Sequence, residues 1–556
     1  MNIEKDIRKL KEELSHYGTI DLLGEIGRKL YIFGNDGSDV SFNANIRNRT
    51  SLHSPYKQYQ YLAALLISTN CDNNNLKRVD DNSFEELERD IDRITFKYIE
   101  EISEPILKNA GSNNGFEESQ ASYTVLEEFD SYFNTGNLSY PEQLEQKIKT
   151  IFGGFNDHFI SKFNLTIDDM LSFYNYVYTL TIASFNNFSE SMAKIEEAFQ
   201  KCNGNEQMDL ANIGSKISSD TKIMNWINKV GIVNRSDLLN YFSEEKVNSL
   251  LKLFSCKRIA SDYLYYTQIN PFSSYPLVEV SDGHFFVTYP PFLMEAIYSF
   301  ANNEVSSNSK LAKKKGEFVE EYVFKLFKKI FSNSALFYKN VCEDYKTNEH
   351  DLLIFYEKYI LIIEIKGSKV RAPLFNPKKS FIRIKDHFFG ESGIGYGYNQ
   401  AIKLKKKLES SKIVELYVGG DEKTKFTAYG KKILPIVISL ENFGKNQINM
   451  SNLIKPEPGQ TYCWSCCVDD LDNLIEINEY LGKQVDDFVR YIKFRIKHHS
   501  QIFAGDELEI LEEFYRGNLR IKDDYNFFIE PKGNSLIDKI YFEKNGIPYD
   551  YNYKKR

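Results

Sequence analysis

The chain has 556 residues, of which 42% are hydrophobic and 27% are charged, and its formal net charge is −8. This length and composition are typical of a globular protein with two to four domains. No apolar run approaches the length of a membrane span, and the polar N-terminus lacks the apolar segment of a signal peptide. We therefore expect a cytoplasmic protein without a membrane partner, whose seven cysteines are reduced thiols.

Residues 1–300 are predicted to be mainly helical, with a β-hairpin at Asp282-Gly283 near their end. An apolar stripe at helical spacing runs from Phe84 to Ile102, and a Ser83–Glu86 capping box is expected to start its helix. Such a stripe fits either a bundle helix or the seam of a homo-oligomer. Because this region contains no catalytic constellation, we expect it to regulate or direct another domain.

A polar stretch, Asn302–Ser309, predicts a linker into a second domain at residues 305–445. After it, Gly316 and Glu317 open a predicted helix with one apolar side. The same helix carries two further carboxylates, Glu320 and Glu321.

Charged residues then flank two apolar strands that a tight turn joins. Asp351 opens the first strand, and Glu364 and Lys366 close the second. Glu364 and Lys366 share one face of their strand, because strand side chains repeat every second residue. Burying unpaired charge is costly, and a divalent cation held by Glu364 and Asp351 would offset that cost. The alternative is a simple ion pair between Glu364 and Lys366 that serves solubility.

This pattern resembles the PD-(D/E)XK nuclease superfamily over residues 305–445. Gly316 and Glu320 match the Gly-x-x-x-Glu helix of Mrr-like members, and Gln400 matches a glutamine that lies over the site in many members. The order helix, strand, strand, strand, helix, strand, with a further strand, is also that of the superfamily core. His350 stands where the family name has proline.

The resemblance implies a site in which Asp351, Glu364 and the carbonyl of Ile365 hold Mg²⁺ or Mn²⁺. Glu320 completes this site or binds a second ion, with Glu317 and Glu321 as fallback candidates. Lys366 would orient the attacking water, and Gln400 would bind the phosphate or a water on the metal.

By this resemblance, the protein is a metal-dependent nuclease, with DNA as the favoured substrate. Large Mrr-like and Shedu-like proteins suggest by analogy a bacterial restriction or anti-phage defence effector. The alternative is a non-catalytic nucleic-acid-binding or interaction module that keeps the nuclease fold.

Positive charge is concentrated in the predicted nuclease domain. Residues 301–450 contain 27 Lys and Arg against 17 Asp and Glu, which is a net charge of +10. A basic domain in an acidic chain is typical of a protein that binds a phosphate backbone. A predicted loop combines phenylalanines with the candidate nucleic-acid-binding residues Lys369, Arg371, Lys378, Lys379, Arg383 and Lys385. An ordinary solvated surface explains this loop equally well.

Residues 442–460, with Pro456 and Pro458, predict a second linker. A small, mainly helical domain follows at residues 460–556, in which Cys463 and Cys466 form a Cys-x-x-Cys without a second pair, so buried thiols are favoured over zinc. The expected architecture is a multi-domain α+β protein. It has a largely helical N-terminal region, a central α/β restriction-endonuclease-like domain with a mixed sheet, and the C-terminal helical domain.

Overall fold

The computed structural model describes residues 3–34, 52, 54–108, 116–134, 140–181, 183, 231–367, 369–370, 374, 377–521, 525–529 and 536–546. In these ranges the fold is mixed α/β, and none of the helices is long and apolar enough to cross a membrane. The chain divides into two compact units. The first takes Met1–Phe33, Tyr56–Ile91 and Tyr140–Asn308, and the second takes Gly34–Pro55, Asp92–Ser139 and Ser309–Arg556.

The first unit is mainly helical. A small sheet has the strand order β1-β4-β3-β2, formed by β1 (Ile232–Asn234), β2 (Ser255–Lys257), β3 (Leu277–Ser281) and β4 (His284–Val287). The predicted hairpin is confirmed, since β3 and β4 pair antiparallel and Gly283 adopts a φ of 70° in their turn. The helices of this unit are Ile3–Ser15, Thr19–Gly34, Pro55–Ile67, Pro141–Phe152, Asn156–Phe163, Arg235–Leu238, Glu244–Phe254, Pro271–Ser274 and Pro291–Ser306, and residues 167–181 are also helical.

The helix with the apolar stripe spans Asp81–Lys108, and the boundary between the units falls within it. The stripe residues Phe84 to Ile102 are buried within the single chain, as expected for a bundle helix. The predicted cap at Ser83 is wrong by three residues. Asp80 accepts a hydrogen bond from the Ser83 amide at 2.9 Å, and the Ser83 hydroxyl accepts one from the Asp80 amide at 2.9 Å. Asp80 and Ser83 therefore form the reciprocal pair that the sequence placed at Ser83 and Glu86.

The predicted linker at Asn302–Ser309 is also wrong. The helix Pro291–Ser306 continues through most of it, and the next helix begins at Ser309. Ile297, Ala301 and Val305 explain this continuation, because they are spaced four residues apart and are all buried. The sequence boundary near residue 305 nevertheless falls close to the boundary between the units at Asn308.

The second unit is built around a seven-stranded mixed sheet with the order β11-β10-β7-β6-β5-β8-β9. Its strands are β5 (Leu336–Asp344), β6 (Thr347–Tyr356), β7 (Tyr359–Lys366), β8 (Ile413–Val418), β9 (Glu422–Thr427), β10 (Lys432–Ser439) and β11 (Trp464–Cys467). Strands β7, β10 and β11 run parallel, whereas β6, β5, β8 and β9 continue the sheet in antiparallel pairs. Two short strands, β12 (Ile502–Phe503) and β13 (Phe527–Phe528), form a separate parallel pair.

Helices surround this sheet. The leading helix (Ser309–Phe331) precedes β5, and the basic helix (Pro377–Phe389) and the glutamine helix (Ile394–Glu409) lie between β7 and β8 in the chain. The other helices of the unit are Phe116–Asn134, Lys445–Ile448, Val468–Tyr480, Val485–Lys497, Glu507–Arg516 and Leu536–Lys544. The order predicted from the superfamily core is thus present, with the additional strand β9.

Strand β7 is buried along its whole length, which explains its unbroken apolar run. On one side, Leu353, Ile360 and Ile362 share a core with Ala401, Leu404 and Leu408 of the glutamine helix. The leading helix buries Val319, Val323 and Phe327 in the same unit. The core therefore fixes the end of β7 at which charged residues begin.

Two further predictions for this unit are wrong. The basic segment is a helix from Pro377 onward rather than a loop, because Ser380, Ile384 and Phe388 bury one helical face between the charged residues. The predicted linker 442–460 contains the helix Lys445–Ile448 and a 3₁₀ turn, with Gln447 and Met450 buried. Residues after 460 and the helix Phe116–Asn134 belong to the same unit as the sheet.

Candidate functional site

The central carboxylates lie on neighbouring strands. Strands β6 and β7 pair antiparallel as far as Leu352 and Ile363, so Asp351 and Glu364 are the next residues along the two strands. The Ile365 amide donates a hydrogen bond of 2.6 Å to Asp351 Oδ2. Glu364 is 0% exposed. The structure thus brings together the two predicted metal ligands, although Asp351 is the fifth residue of its strand rather than the first.

Lys366 is also buried, and it contacts two of the predicted site residues. Its Nζ lies 3.7 Å from Glu364 Oε2 and donates a hydrogen bond of 2.7 Å to Gln400 Oε1. Gln400 Nε2 is 3.4 Å from the carbonyl of Glu349 on β6. The glutamine helix therefore holds the lysine amine beside Glu364, and the prediction that Gln400 lies over the site is consistent with this contact.

The site crowds negative charge. Burial raises the pKa of Asp351 well above its ordinary value, and the charges of Glu364 and Glu320 raise it further while Lys366 lowers it. Burial likewise raises the pKa of Glu320, followed by the charges of Glu349 and Glu317. The field of Glu320 therefore reaches the strand carboxylates from the leading helix.

Among the three acidic residues on that helix, the contacts favour Glu320 as the site residue. Glu321, a fallback candidate, instead forms an ion pair with Lys339 at 2.7 Å. Glu317 acts on the site only through its effect on the pKa of Glu320.

His350 is a site residue that sequence reasoning did not assign. Its Nδ1 lies 2.6 Å from Glu364 Oε1, and its Nε2 lies 3.4 Å from Glu343 Oε1. His350 is 1% exposed, so both contacts are internal. Strand alternation places neighbours such as His350 and Asp351 on opposite faces, so the sequence pattern contained no signal for this contact. Asn340, at φ 53° on the adjacent β5, marks a local departure from regular strand geometry.

Gly397 is a second unassigned residue, and it makes room for Lys366. A Cβ atom at Gly397 would lie 2.8 Å from Lys366 Cε and 3.1 Å from Val437 Cγ1. Next to it, the ring centre of Tyr396 is 5.5 Å from Lys366 Nζ. A glycine inside a predicted helix that starts beside the motif was the available signal.

The predicted nucleic-acid-binding residues differ in their surroundings. Lys369, Lys379 and Lys385 are exposed, whereas Arg383 is half-buried. The charge of Arg383 acts on Glu128 of the helix Phe116–Asn134, whose pKa burial raises to about 7. Arg371 and the side chain of Lys378 lie outside the described residues. The exposed lysines remain candidates for phosphate contacts, while Arg383 is engaged inside the unit.

The donor set decides whether a divalent cation suits this site. Glu364 Oε2 is buried and has no hydrogen-bond partner. Asp351 and Glu364 are hard oxygen donors of the kind that Mg²⁺ and Mn²⁺ prefer, and their mutual repulsion would be relieved by a cation. In the ranges that the structure describes, however, no three His, Cys, Asp or Glu side chains already converge as a metal-holding group. The two carboxylates fit a cation whose remaining ligands are backbone oxygen and water.

The C-terminal cysteines offer no comparable site. Cys463, Cys466 and Cys467 are buried free thiols, and burial raises the pKa of Cys463 to about 12. A raised pKa disfavours the thiolate that zinc requires, in agreement with the preference for buried thiols.

Comparison of the chain with models of protein families, with curated proteins and with solved structures gave no match.

Proposed function

We propose that the protein is a metal-dependent nuclease that hydrolyses phosphodiester bonds, with DNA as the favoured substrate. The observation that carries the proposal is the cluster of Asp351, Glu364 and Lys366 at the end of a fully buried strand. Each of these charges is costly to bury, and a purely structural strand end has no need of all three. The resemblance to PD-(D/E)XK nucleases rests on the same residues.

Asp351, Glu364 and the Ile365 carbonyl are the groups that would hold Mg²⁺ or Mn²⁺, with Glu320 nearby to complete the site. Bound there, the ion supplies Lewis-acid polarisation of the phosphate and a more acidic water. Lys366 has the position of a residue that orients the nucleophilic water and offsets charge on the phosphate. Gln400 keeps the lysine amine in place through its 2.7 Å hydrogen bond.

The surrounding charge supports a nucleic-acid substrate. The segment 301–450 has a net charge of +10 in a chain of net charge −8. Lys369 follows the site directly, and Lys379 and Lys385 are exposed on the basic helix. These lysines can contact backbone phosphates without reading the base sequence. A role in restriction or anti-phage defence is the biological context that the resemblance suggests.

One observation favours the second candidate, a non-catalytic nucleic-acid-binding module. Glu364 Oε1 is already bound by His350, and Asp351 Oδ2 by the Ile365 amide. If these hydrogen bonds persist in solution, fewer carboxylate oxygens face a cation. The presence of Lys366 beside the free oxygen of Glu364 nevertheless favours catalysis.

The test incubates the full chain with supercoiled plasmid, linear DNA and RNA, each with Mg²⁺, Mn²⁺ or EDTA. We expect cleavage with a divalent cation, its loss in EDTA, and a decrease of about 10²-fold or more in Lys366→Ala. Lys432→Ala is the matched control, because Lys432 is exposed and pairs with Tyr359 at the opposite end of β7. Binding without cleavage of any substrate would favour the non-catalytic module, and undiminished cutting in EDTA would refute the metal requirement.

A further inference from the structure

A buried chain of side chains extends from the predicted metal ligand Glu364 into the protein. Glu364 Oε1 accepts a hydrogen bond of 2.6 Å from His350 Nδ1, and the other ring nitrogen lies 3.4 Å from Glu343 Oε1. Glu343 is 6% exposed, and the two other residues are more deeply buried. A carboxylate accepts but does not donate hydrogen bonds, so the proton between His350 and Glu364 is on His350 Nδ1.

The outer end of this chain is held by the glutamine helix. Lys403 Nζ lies 3.1 Å from Glu343 Oε1. Lys407 Nζ lies 3.7 Å from Glu343 Oε2 and donates a hydrogen bond of 2.7 Å to the Glu343 carbonyl. These two lysines restrict Glu343, which in turn restricts the histidine ring.

Gln400, Lys403 and Lys407 are spaced three and four residues apart, so they occupy one face of the glutamine helix. That face contacts Lys366 directly through Gln400, and it reaches Glu364 indirectly through Glu343 and His350. The same helix therefore orients the lysine and the carboxylate of the site.

We propose that His350 is a positioning residue for Glu364, an inference that rests on the proposed function. Its Nδ1 fixes Oε1 and leaves Oε2 as the oxygen that faces Lys366 and binds the divalent cation. Oε2 is the Glu364 oxygen without a hydrogen-bond partner, at 3.7 Å from Lys366 Nζ. Hydrogen bonds to the far side of a ligating carboxylate commonly set its orientation and tune its metal affinity.

Two substitutions at the same position separate this role from simple packing. The side-chain amide of His350→Asn places a donor near the position of Nδ1, so it can keep the hydrogen bond to Glu364 while releasing Glu343. The longer His350→Gln places its amide near the position of Nε2, so it can keep Glu343 as a partner while releasing Glu364. Both remove the ring, so a defect caused only by packing affects them alike.

The experiment titrates Mn²⁺ into the full chain by isothermal titration calorimetry without nucleic acid, and measures thermal unfolding and plasmid cleavage in parallel. We expect His350→Gln and His350→Ala to weaken Mn²⁺ binding by about 10- to 100-fold, and His350→Asn to stay within about threefold of the wild-type protein. Glu343→Gln keeps its shape but weakens the attraction to the two lysines, and it should weaken binding in the same direction by a smaller factor. It provides the measurement if a His350 variant fails to fold.

The inference is overturned if the wild-type protein binds Mn²⁺ and cleaves, but the folded Asn and Gln variants lose affinity equally or not at all. Loss of Mn²⁺ binding in His350→Asn alone would also overturn it. If the wild-type protein neither binds Mn²⁺ nor cleaves, the proposed function fails together with this inference, which distinguishes the two failures.

Discussion

Gly397 allows catalysis and folding to be perturbed separately. In Gly397→Ala, the added Cβ would lie 2.8 Å from Lys366 Cε, whereas ordinary carbon contacts are about 3.5–4.0 Å. Lys366 Cε is near the end of a flexible side chain, so the lysine is expected to move rather than the strand. Movement of about 1 Å breaks the 2.7 Å hydrogen bond to Gln400 and displaces the amine from Glu364.

The expected decrease in activity follows from that displacement. A misplacement of about 1 Å in a catalytic group can cost about 10- to 100-fold in kcat, which is about 1.4–2.7 kcal/mol of barrier. Stability should change less. Replacing glycine by alanine in a helix contributes up to about 1 kcal/mol. Crowding of Val437, at 3.1 Å from the new Cβ, costs about 1–3 kcal/mol if the neighbour does not relax.

The assay compares plasmid-nicking rates and thermal unfolding of Gly397→Ala with those of Gly24→Ala. Gly24 lies in the helix Thr19–Gly34, where a new Cβ would meet its nearest atom, Phe286 Cζ, at an ordinary 3.8 Å. This control should gain about 0.5–1 kcal/mol of stability and cleave at the wild-type rate. Because Gly397 is argued to act through Lys366, Gly397→Ala should cause no further decrease in a Lys366→Ala background. An equal decrease in both backgrounds would refute the reasoning.

Three further predictions follow from the charges of the site. Replacing Lys379 and Lys385 together by Ala should weaken nucleic-acid binding and reduce its salt slope by about 0.9 for each phosphate that the protein no longer neutralises; an unchanged slope in fluorescence anisotropy would leave these lysines as ordinary surface. Burial raises the pKa of Glu128 from 4.5 to about 7, so folding takes up a proton and the unfolding free energy should fall as the pH rises across that window; in urea unfolding, Glu128→Gln should be more stable than the wild type by up to about 3 kcal/mol at pH 8 but not at pH 4. Because the pKa of Asp351 is raised, Mn²⁺ binding near neutral pH should release a proton; an apparent enthalpy that does not vary between buffers of different ionisation enthalpy would contradict this.

The parts of the fold that the sequence predicted best are those governed by long, regular patterns. The apolar run of β7, the amphipathic leading helix and the Asp-Gly hairpin are all present at their predicted places. A run of buried residues or a repeated spacing is visible without tertiary information. The pairing of Asp351 with the end of β7 followed from the tight turn between the strands, because that turn fixes their register.

The errors share a different cause. In Asn302–Ser309 and in the basic helix, polar residues outnumber the few buried ones, and local composition concealed the helical spacing. His350 escaped for another reason. Its hydrogen bond to Glu364 depends on an irregular stretch of β5 and β6 near Asn340, and a regular strand would place the histidine on the other face. Positions that depart from ideal geometry are where pattern-based reasoning fails first.

The electrostatics of the site explain why it is arranged around one helix. Asp351 and Glu364 lie on adjacent strands, and the pKa of Asp351 is raised because both carboxylates are difficult to ionise together in a buried place. Lys366 offsets part of this charge, but at 3.7 Å from Glu364 it does not form a close ion pair, because its amine is directed to Gln400. The glutamine helix thus prevents the site from neutralising itself. Negative charge remains beside a buried oxygen without a partner, and a divalent cation is the species that best compensates it.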